Sequence, residues 1–418
     1  MALARFLQVS DLHLGRPFGW LPTERRQQRR RDLLRVLERA VAEAIERDVH
    51  ALLVPGDLFD QEGVDADLLA SVVGGAFRVT GCPPVFIAPG NHDPYSASSQ
   101  YWNARLLKAR GLQWPDHVHV FESPEWRART LPAPAGVRVW GRCSISGVAT
   151  LERPLQPALI PTLPPSDGTH VEIAVFHGSR EGRCPPGQKI TAPFSDAEAL
   201  EAPFAYLAAG HYHTVSSIGA AEGASAGVRL AYAGSAAALD VTEVGAHGGL
   251  EVRVEYGRRL PFVETEFVPL DRRRIFDLAV DVTRSTSAEA VDLRLQRTLD
   301  DAGVSEEDLV TMRLTGRLPK GVRYAAPGPE LAARAFHVRV DLRGLRPDYD
   351  LEAYRATASD TTEEKFARSL LERIELESDP LQRSMIESAL YYGLDAFRLR
   401  EVVPAYEELA ETESRSEP

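Results

Sequence analysis

The chain has 418 residues, of which 44% are hydrophobic and 26% are charged, and its formal net charge is −12. This composition fits a folded protein of two or three domains and excludes the disordered, collagen-like and disulfide-framework classes. No apolar run approaches the ~18 residues that a membrane span needs. The three cysteines form no CxxC pair, which fits a reducing compartment. We therefore expect a cytoplasmic protein with no signal peptide and no membrane association.

Short apolar runs alternate with helical patterns over the first 265 residues. Strands are predicted at residues 6–9, 51–54, 85–88, 171–176 and 206–209. A helix is predicted over residues 25–47, because Leu33, Leu37, Val41 and Ala44 recur at spacings of three and four. The strand patterns are apolar without alternation, which indicates strands covered on both faces. The sequence therefore predicts an α/β domain over residues 1–265.

A different pattern begins after residue 265. A strand at 274–282, a helix at 288–302 and strands at 310–314 and 336–342 predict a small α+β domain over residues 270–345. A helical pattern follows over residues 360–410, and residues 411–418 are predicted to be disordered. The residues from 361 onward include 14 acidic and 7 basic side chains, so they carry −7 of the net charge.

Asp, Asn and His side chains follow the predicted strands of the first domain. The clusters are Asp11-Leu12-His13, Gly56-Asp57-Leu58-Phe59-Asp60, Gly90-Asn91-His92-Asp93, His177 and Gly210-His211-Tyr212-His213. In open α/β sheets, ligands collect outside the carboxyl ends of the strands, so five such clusters predict one shared site. Nitrogen and oxygen ligands without sulfur suit Mn, Fe or Zn at an open catalytic site.

Phosphoryl transfer by two metals about 3.5–4 Å apart is the chemistry that such a ligand set supports. One carboxylate must serve both metals, and Asp57 is the natural choice because it is central among the clusters. A hydroxide held by the metals would attack phosphorus in line. A histidine that is not a ligand can protonate the leaving oxygen, and His92 is placed beside Asn91 for that role.

The motifs resemble those of the calcineurin-like metallophosphoesterase superfamily, and within it the SbcD-type DNA repair exonucleases, especially the YhaO-like bacterial branch. The elements that carry the resemblance lie within residues 6–265 and are Val9-Ser10-Asp11-Leu12-His13-Leu14-Gly15, Pro55-Gly56-Asp57-Leu58-Phe59-Asp60, Pro89-Gly90-Asn91-His92-Asp93-Pro94, Phe176-His177-Gly178-Ser179 and Ala209-Gly210-His211-Tyr212-His213. Tyr232-Ala233-Gly234-Ser235, followed by Glu243 and Gly245, resembles the closing strands of the family.

The resemblance implies a fold and an activity. The fold is an α/β core of mixed sheets in a sandwich flanked by helices, with a small α+β capping domain at 270–345 and a helical C-terminal segment. The activity is that of a metal-dependent DNA nuclease that works in DNA repair, either as an exonuclease alone or as an exonuclease and endonuclease. An SbcC-like coiled-coil ATPase is the implied partner and would dock on residues 360–410. A homodimer is also implied.

The roles of individual residues follow from the same resemblance. Asp11, His13, Asp57 and His213 would hold the first metal, and Asp57, Asn91, His177 and His211 would hold the second. Two Mn²⁺ ions are the implied cofactors. His92 would be the proton donor, oriented by Asp93. Asp60 would lie near the substrate, with a structural hydrogen-bonding role as the alternative.

Basic and aromatic residues near the motifs are candidates for contact with DNA. Arg25, Arg26, Arg29, Arg30 and Arg31 form the densest basic run, and the first four of these could hold the phosphate backbone; a solvated helix face is the alternative. Tyr95, followed by Tyr101 and Trp102, could stack on unpaired bases; core packing and self-association are the alternatives.

Two other functions compete with the nuclease. One is a phosphatase or phosphodiesterase of the same superfamily that acts on a substrate other than DNA. The other is a binding subunit with a degenerate site, against which the complete set of ligand residues argues. The extra residues beyond 265 favour the nuclease, because minimal phosphatases of this type end near the catalytic core.

Overall fold

The computed structural model describes residues 2–60, 64–163, 170–184, 189–219, 227–257, 261–319, 322–356 and 361–400. The tail predicted to be disordered, residues 411–418, lies outside these ranges, as do residues 401–410. The chain divides into two compact units, Met1–Ile275 and Phe276–Pro418.

The first unit contains twelve strands and four α-helices in its described residues. In chain order they are β1 (Ala2–Gln8), α1 (Thr23–Glu46), β2 (Ala51–Val54), α2 (Ala66–Val73), β3 (Val85–Ile87), α3 (Ala104–Ala109), β4 (Val118–Val120), β5 (Arg127–Thr130), β6 (Val137–Gly141), β7 (Val171–His177), α4 (Asp196–Glu201), β8 (Tyr206–Gly210), β9 (Ser216–Gly219), β10 (Val228–Tyr232), β11 (Gly248–Tyr256) and β12 (Phe262–Pro269).

These strands form two six-stranded mixed sheets, in the orders β12-β11-β1-β2-β3-β4 and β5-β6-β7-β8-β10-β9. Strands β1, β2, β3 and β4 run parallel to one another, as do β6, β7, β8 and β10, and the outer strands β11, β5 and β9 pair with them antiparallel. Apolar side chains from both sheets form one core, among them Phe6 and Phe86 from the first sheet and Val139 and Ile173 from the second. The predicted α/β sandwich is confirmed.

Helix α1 covers the first sheet with the face that its sequence predicts. Leu33, Leu37, Val41 and Ala44 are all buried, at 0–1% exposure. Each buried leucine or valine side chain in this set contributes about 1.5–3 kcal/mol of hydrophobic stabilisation relative to an exposed position. This helix therefore holds one outer layer of the unit in place.

The second unit combines a small sheet with helices. Its elements are β13 (Ile275–Asp281), α5 (Ala288–Asp301), β14 (Leu309–Leu318), α6 (Pro329–Ala332), β15 (His337–Pro347), α7 (Leu351–Ala356), α8 (Thr362–Leu376) and α9 (Pro380–Leu399). The three strands form a sheet in the order β13-β14-β15, with β14 and β15 parallel. Val291, Leu295 and Leu299 of α5 join the apolar core of this sheet.

Helices α7, α8 and α9 pack together around Ala367, Leu371, Leu390 and Leu394, which are nearly inaccessible to solvent. Within the same unit, the guanidinium of Arg317 on β14 lies 3.8 Å from the ring centroid of Tyr391 on α9. The predicted C-terminal helices are thus folded against each other and against the sheet. In the part of the chain that the structure describes, no helix has the length and apolarity needed to cross a membrane.

Arg29 of α1 is fully buried in an ion pair, which contradicts its predicted role as a DNA phosphate contact. Its two terminal nitrogens donate to the carboxylate of Asp271 over 3.1 and 2.5 Å, and one also donates to the carbonyl of Ala238 over 2.8 Å. Burial acts to raise the pKa of Asp271, but Arg29 outweighs it and lowers that pKa. The pair joins α1 to two distant segments of the first unit.

We expect Arg29→Met to lower the free energy of unfolding by about 3–5 kcal/mol, because it leaves the buried carboxylate of Asp271 without its partner. Arg31→Met is the matched control. Arg31 is exposed on the same helix, and surface substitutions usually change stability by less than ~0.5 kcal/mol. Urea unfolding of the two variants checks this, and equal stabilities would show that the ion pair does not anchor α1.

Candidate metal centre and active site

The backbone at the strand ends is held in an unusual conformation. Asp11, His13 and Asp57 have φ values of 51°, 46° and 51°, and His211 has φ 116°. Such positive values cost of order 1–3 kcal/mol for residues other than glycine and cluster at functional sites. All four belong to the predicted ligand set. The strain turns their side chains toward a common point beyond β1, β2 and β8.

Glycines next to the ligand residues let the loops pack closely. A Cβ on Gly90 would lie 2.2 Å from Oδ1 of Asp57, and one on Gly210 would lie 1.8 Å from the carbonyl oxygen of Pro55. The structure shows that Gly90 and Gly210 are needed mainly for space, because neither has a positive φ.

The first ligand group comprises Asp11, His13 and His213, whose candidate donor atoms lie within 4.8 Å of one another. The rings of His13 and His213 meet edge to face with centroids 5.3 Å apart. Neither ring nitrogen of buried His13 has a hydrogen-bond partner among the described residues. An unpaired buried polar atom costs free energy, and a metal ion bound at Nε2 would remove that cost.

The second ligand group forms around His177. Its Nδ1–H donates to the carbonyl of Pro55 over 3.1 Å, which leaves Nε2 facing the site. That Nε2 lies 3.0 Å from Oδ1 of Asn91, 3.2 Å from Nδ1 of His211 and 3.3 Å from Oδ2 of Asp57. Four donor atoms from four separate segments of the chain thus converge. Nε2–H of His211 donates to the carbonyl of Lys189 over 2.9 Å, which leaves Nδ1 of His211 facing His177.

Asp57 lies between the two groups and contacts a histidine of each. Its Oδ2 lies 3.6 Å from Nε2 of His13 as well as 3.3 Å from Nε2 of His177. Burial acts to raise the pKa of Asp57, but His177, His13 and His92 together hold it below its ordinary range. Asp57 is therefore an ionised carboxylate between two sets of imidazoles, as a ligand shared by two cations must be.

The paired histidines of the second group carry opposite pKa shifts. Burial acts to lower the pKa of His177, but the carboxylate of Asp57 outweighs it and raises that pKa to about 9. Burial and the neighbouring His177 lower the pKa of His211 to about 3. Two imidazoles this close are not both protonated to the cationic form. The space between Nε2 of His177 and Nδ1 of His211 therefore favours a single positive charge. A cation bound by the lone pairs of both nitrogens would supply that charge.

His92 lies at the edge of the ligand groups. Its ring meets that of His13 edge to face at 4.6 Å, and its backbone N–H donates to Oδ1 of Asp57 over 2.8 Å. Its ring is also within reach of a group formed with His13 and Asp57. The position suits either a proton donor or a further ligand.

Asp93 does not orient the ring of His92 as predicted. Among the described residues, its carboxylate accepts from the backbone N–H groups of Gly90 and Phe59, over 2.6 and 3.2 Å. Burial, with the charge of Asp57, raises the pKa of Asp93 to about 7. Asp93 therefore shapes the loop that carries Asn91 and His92 instead of contacting the reacting groups.

Asp60 is buried beside the site, with its Oδ2 3.6 Å from both Nδ1 of His13 and Nη1 of Arg16. Burial acts to raise the pKa of Asp60, but His13 outweighs it and lowers that pKa. This placement fits the structural role left open by the sequence, because the carboxylate faces a ligand histidine.

The other predicted DNA contacts lie in different surroundings. Arg26 donates to the carbonyls of Leu21 and Gly19 and so closes the loop before α1. Arg30 lies 3.5 Å from Asp65 and is partly exposed, and Arg25 is exposed. Of the four arginines predicted to contact DNA, Arg25 and Arg30 therefore remain as those whose exposure suits that contact.

The aromatic residues predicted to stack on bases divide into two kinds. Tyr101 and Trp102 are buried and pack on Phe59 at centroid distances of 4.9 and 5.5 Å. They are core residues, which was the alternative interpretation. Tyr95 is half-buried, and its backbone N–H donates to the carbonyl of Ser144.

Glu243, Ser235 and His247 were not assigned a role from the sequence, yet they stand directly behind the first ligand group. Nδ1 of His213 lies 2.7 Å from Oε1 of Glu243. The sequence contained a signal for two of them, the motif Tyr232-Ala233-Gly234-Ser235 followed by Glu243. Nothing in that motif indicated that Ser235 or Glu243 lies beside His213. The contact spans 30 residues and arises only when β10 lies beside β8.

The site opens into a cavity of about 980 Å³. Its polar wall includes His13, Asp57, Asn91, His92, His211 and His213. Two cationic side chains, Arg16 and Lys189, also line it. The predicted proton donor and most of the predicted metal ligands therefore face one shared space that is large enough for an extended substrate.

We expect Asp57→Ala to reduce occupancy by both metals, because its carboxylate contacts both histidine groups, and His13→Ala to weaken mainly one. Elemental analysis of purified protein after gel filtration in Mn²⁺ measures this. Asp48→Asn is the control, since the carboxylate of Asp48 is 91% exposed and lies outside the ligand groups. Two metals per chain in the Asp57 variant would contradict a shared carboxylate.

No curated protein matches the chain. Among solved structures, it is similar to TT1561 of Thermus thermophilus (14% identity, TM-score 0.35, covering 64% of this chain and 99% of that one). It is also similar to a dimetal phosphatase from Danio rerio (12% identity, TM-score 0.34, covering 63% of this chain and 98% of that one). A third similar structure is the purple acid phosphatase PPD1 from yellow lupin seeds (10% identity, TM-score 0.37, covering 64% of this chain and 52% of that one).

The family comparison is more specific than these structural similarities. The model of the calcineurin-like phosphoesterases matches residues 4–215, a range that contains Asp11, His13, Asp57, Asn91 and the remaining histidine ligands up to residue 213. Since the match spans more than half of the 418 residues, the chain belongs to the calcineurin-like phosphoesterase family and is a metal-dependent phosphoesterase.

Proposed function

We propose that this phosphoesterase is a DNA nuclease of the SbcD type that hydrolyses phosphodiester bonds with two Mn²⁺ ions. The observation that carries the proposal is the convergence of seven nitrogen and oxygen ligand side chains and His92 beside one cavity. They are Asp11, His13, Asp57, Asn91, His177, His211 and His213. When bound, two divalent metals neutralise phosphoryl charge and make water a nucleophile near neutral pH.

The protein itself contributes position and a proton. The backbone contact between His92 and Asp57 fixes the loop that carries the imidazole next to the ligand groups. Asp93 holds the same loop through Gly90 and Phe59. We assign His92 as the donor of a proton to the leaving oxygen, because its ring lines the cavity beside His13.

We expect His92→Ala to retain the metals and the fold but to lose about 10²–10⁴-fold in the rate of DNA cleavage, the usual contribution of a general acid. The loss should be smaller on bis(4-nitrophenyl) phosphate, whose leaving group needs no proton. Steady-state rates on both substrates and metal content are the measurements. An equal loss on both, together with a lost metal, would identify His92 as a ligand.

Two features support a nucleic-acid substrate. Arg16 and Lys189 place positive charge on the wall of the cavity, where phosphates next to the scissile bond would lie. Arg25 and Arg30 on α1 are the remaining candidates for contact with the DNA backbone. The net charge of −12 opposes nonspecific coating of DNA. We therefore propose that DNA binds only at the cavity and at the exposed arginines of α1.

We expect Mn²⁺-dependent degradation of labelled linear duplex DNA and little hydrolysis of 4-nitrophenyl phosphate, a monoester. The Asp57→Ala protein, prepared in parallel, excludes a contaminating nuclease. Replacing Arg25 and Arg30 by alanine should reduce the slope of log affinity against log salt by about one unit per lost contact. Rapid monoester hydrolysis without DNA cleavage would instead establish the phosphatase.

We propose that the C-terminal helices dock an SbcC-like ATPase and that the α+β domain helps to orient DNA. Leu376, Leu381 and Met385, around the turn between α8 and α9, are 86%, 69% and 59% exposed. Side chains of this size are rarely left exposed in a cluster without a partner. The excess acidic charge of the segment would suit a basic surface on that partner. A homodimer is a further proposal from the family resemblance.

We expect Leu381→Glu with Met385→Glu to abolish copurification with the ATPase while the melting temperature and DNA cleavage stay unchanged. Leu293→Glu, at a 49% exposed position on α5, is the matched control. Substitution is preferable to deletion from residue 360, because deletion would remove Asp395, which accepts from the hydroxyl of Tyr349 over 2.6 Å. Unchanged copurification would exclude this surface.

A further inference from the structure

Glu243 lies between β10 and β11, and its carboxylate accepts three hydrogen bonds. Oε1 accepts from Nδ1–H of His213 over 2.7 Å. Oε2 accepts from the hydroxyl of Ser235 and from the backbone N–H of Leu239, each over 2.9 Å. The side chains of Glu243 and His213 are only 13% and 18% exposed. The carboxylate is thus fixed at both oxygens.

The contact with Glu243 determines which nitrogen of His213 carries the proton. An ionised carboxylate only accepts hydrogen bonds, so Nδ1 of His213 must be the protonated nitrogen. Nε2 then keeps its lone pair and is the atom that His213 can offer to the group that it forms with Asp11 and His13. A metal ligand needs that lone pair.

A second layer of contacts holds Glu243 itself. His247 is buried at 6% exposure, and its Nε2–H donates to the backbone carbonyl of Glu243 over 2.9 Å. Nδ1 of His247 lies 3.0 Å from the hydroxyl oxygen of Ser235. The backbone N–H of Ser235 donates to the carbonyl of His213 over 3.0 Å. These four residues are therefore in mutual contact behind the first ligand group.

We propose that Glu243 is a positioning residue that holds His213 in the Nδ1–H tautomer and orients its ring as a metal ligand. The inference rests on the metal centre of the proposed function, but it does not depend on the identity of the substrate. Loss of such a partner behind a ligand histidine typically lowers metal affinity by ~10–100-fold.

The substitution Glu243→Gln tests the tautomer directly. The backbone N–H of Leu239 can only donate, so the amide oxygen of the new side chain is expected to face Leu239 and Ser235. The amide NH₂ then faces Nδ1 of His213, which must accept, and the ring proton moves to Nε2. Asp240→Asn is the matched control, because Asp240 accepts from Thr242 instead of a ligand histidine and loses the same charge.

Two measurements on the full-length protein decide the proposal. Calorimetric titration with Mn²⁺ should show one of two sites weakened ~10–100-fold in Glu243→Gln, a smaller effect in Ser235→Ala, and no change in Asp240→Asn. Nitrogen-15 NMR of the histidine rings in EDTA should show the Nδ1–H form of His213 in the native protein and the Nε2–H form in Glu243→Gln. The His213 signals are identified from a His213→Gln variant.

Native affinity at both sites together with an unchanged tautomer in Glu243→Gln would overturn the proposal. If this variant does not fold, as judged by circular dichroism, Ser235→Ala decides, and unchanged Mn²⁺ affinity there would equally overturn it. A protein that shows these effects but does not cleave DNA would refute the proposed substrate and leave the role of Glu243 standing.

Discussion

The ionised carboxylate of Asp57, buried between two groups of histidines, is the constraint on which the rest of the site depends. A buried carboxylate is costly unless cations or hydrogen bonds compensate for the lost hydration. Here the imidazoles of His13 and His177 and the backbone N–H of His92 supply part of that compensation. Two divalent metals would supply the remainder. The same charge that makes the site costly therefore gives it affinity for metals.

The two sheets share the task of holding this charge. Asp11, Asp57 and Asn91 follow strands of the first sheet, whereas His177 and His211 end or follow strands of the second. Neither sheet alone carries a complete ligand group, so the packing of one sheet on the other forms the metal centre. Strained backbone at Asp11, His13, Asp57 and His211 persists because this packing determines where each loop must turn.

Support for the site extends outward through buried polar contacts. Glu243 holds His213, and the backbone N–H of Leu239 holds Glu243. The next residue back, Ala238, contacts both members of the buried pair of Arg29 and Asp271. Helix α1 is thus connected, through Ala238, Leu239 and Glu243, to the candidate metal ligand His213. A residue far from the chemistry can therefore alter the site through a continuous chain of contacts.

The sequence by itself determined the α/β class, the main strands and the set of chemical groups at their ends, because apolar runs and ligand motifs are local patterns. It could not determine that Arg29 is buried, that Asp93 holds the backbone of Gly90 and Phe59, or that Tyr101 and Trp102 pack in the core. Nor could it join Glu243 to His213. Those facts depend on which segments meet across the two sheets, and only the tertiary structure decides that, because burial and hydrogen-bond partners are properties of contacts between residues far apart in the chain.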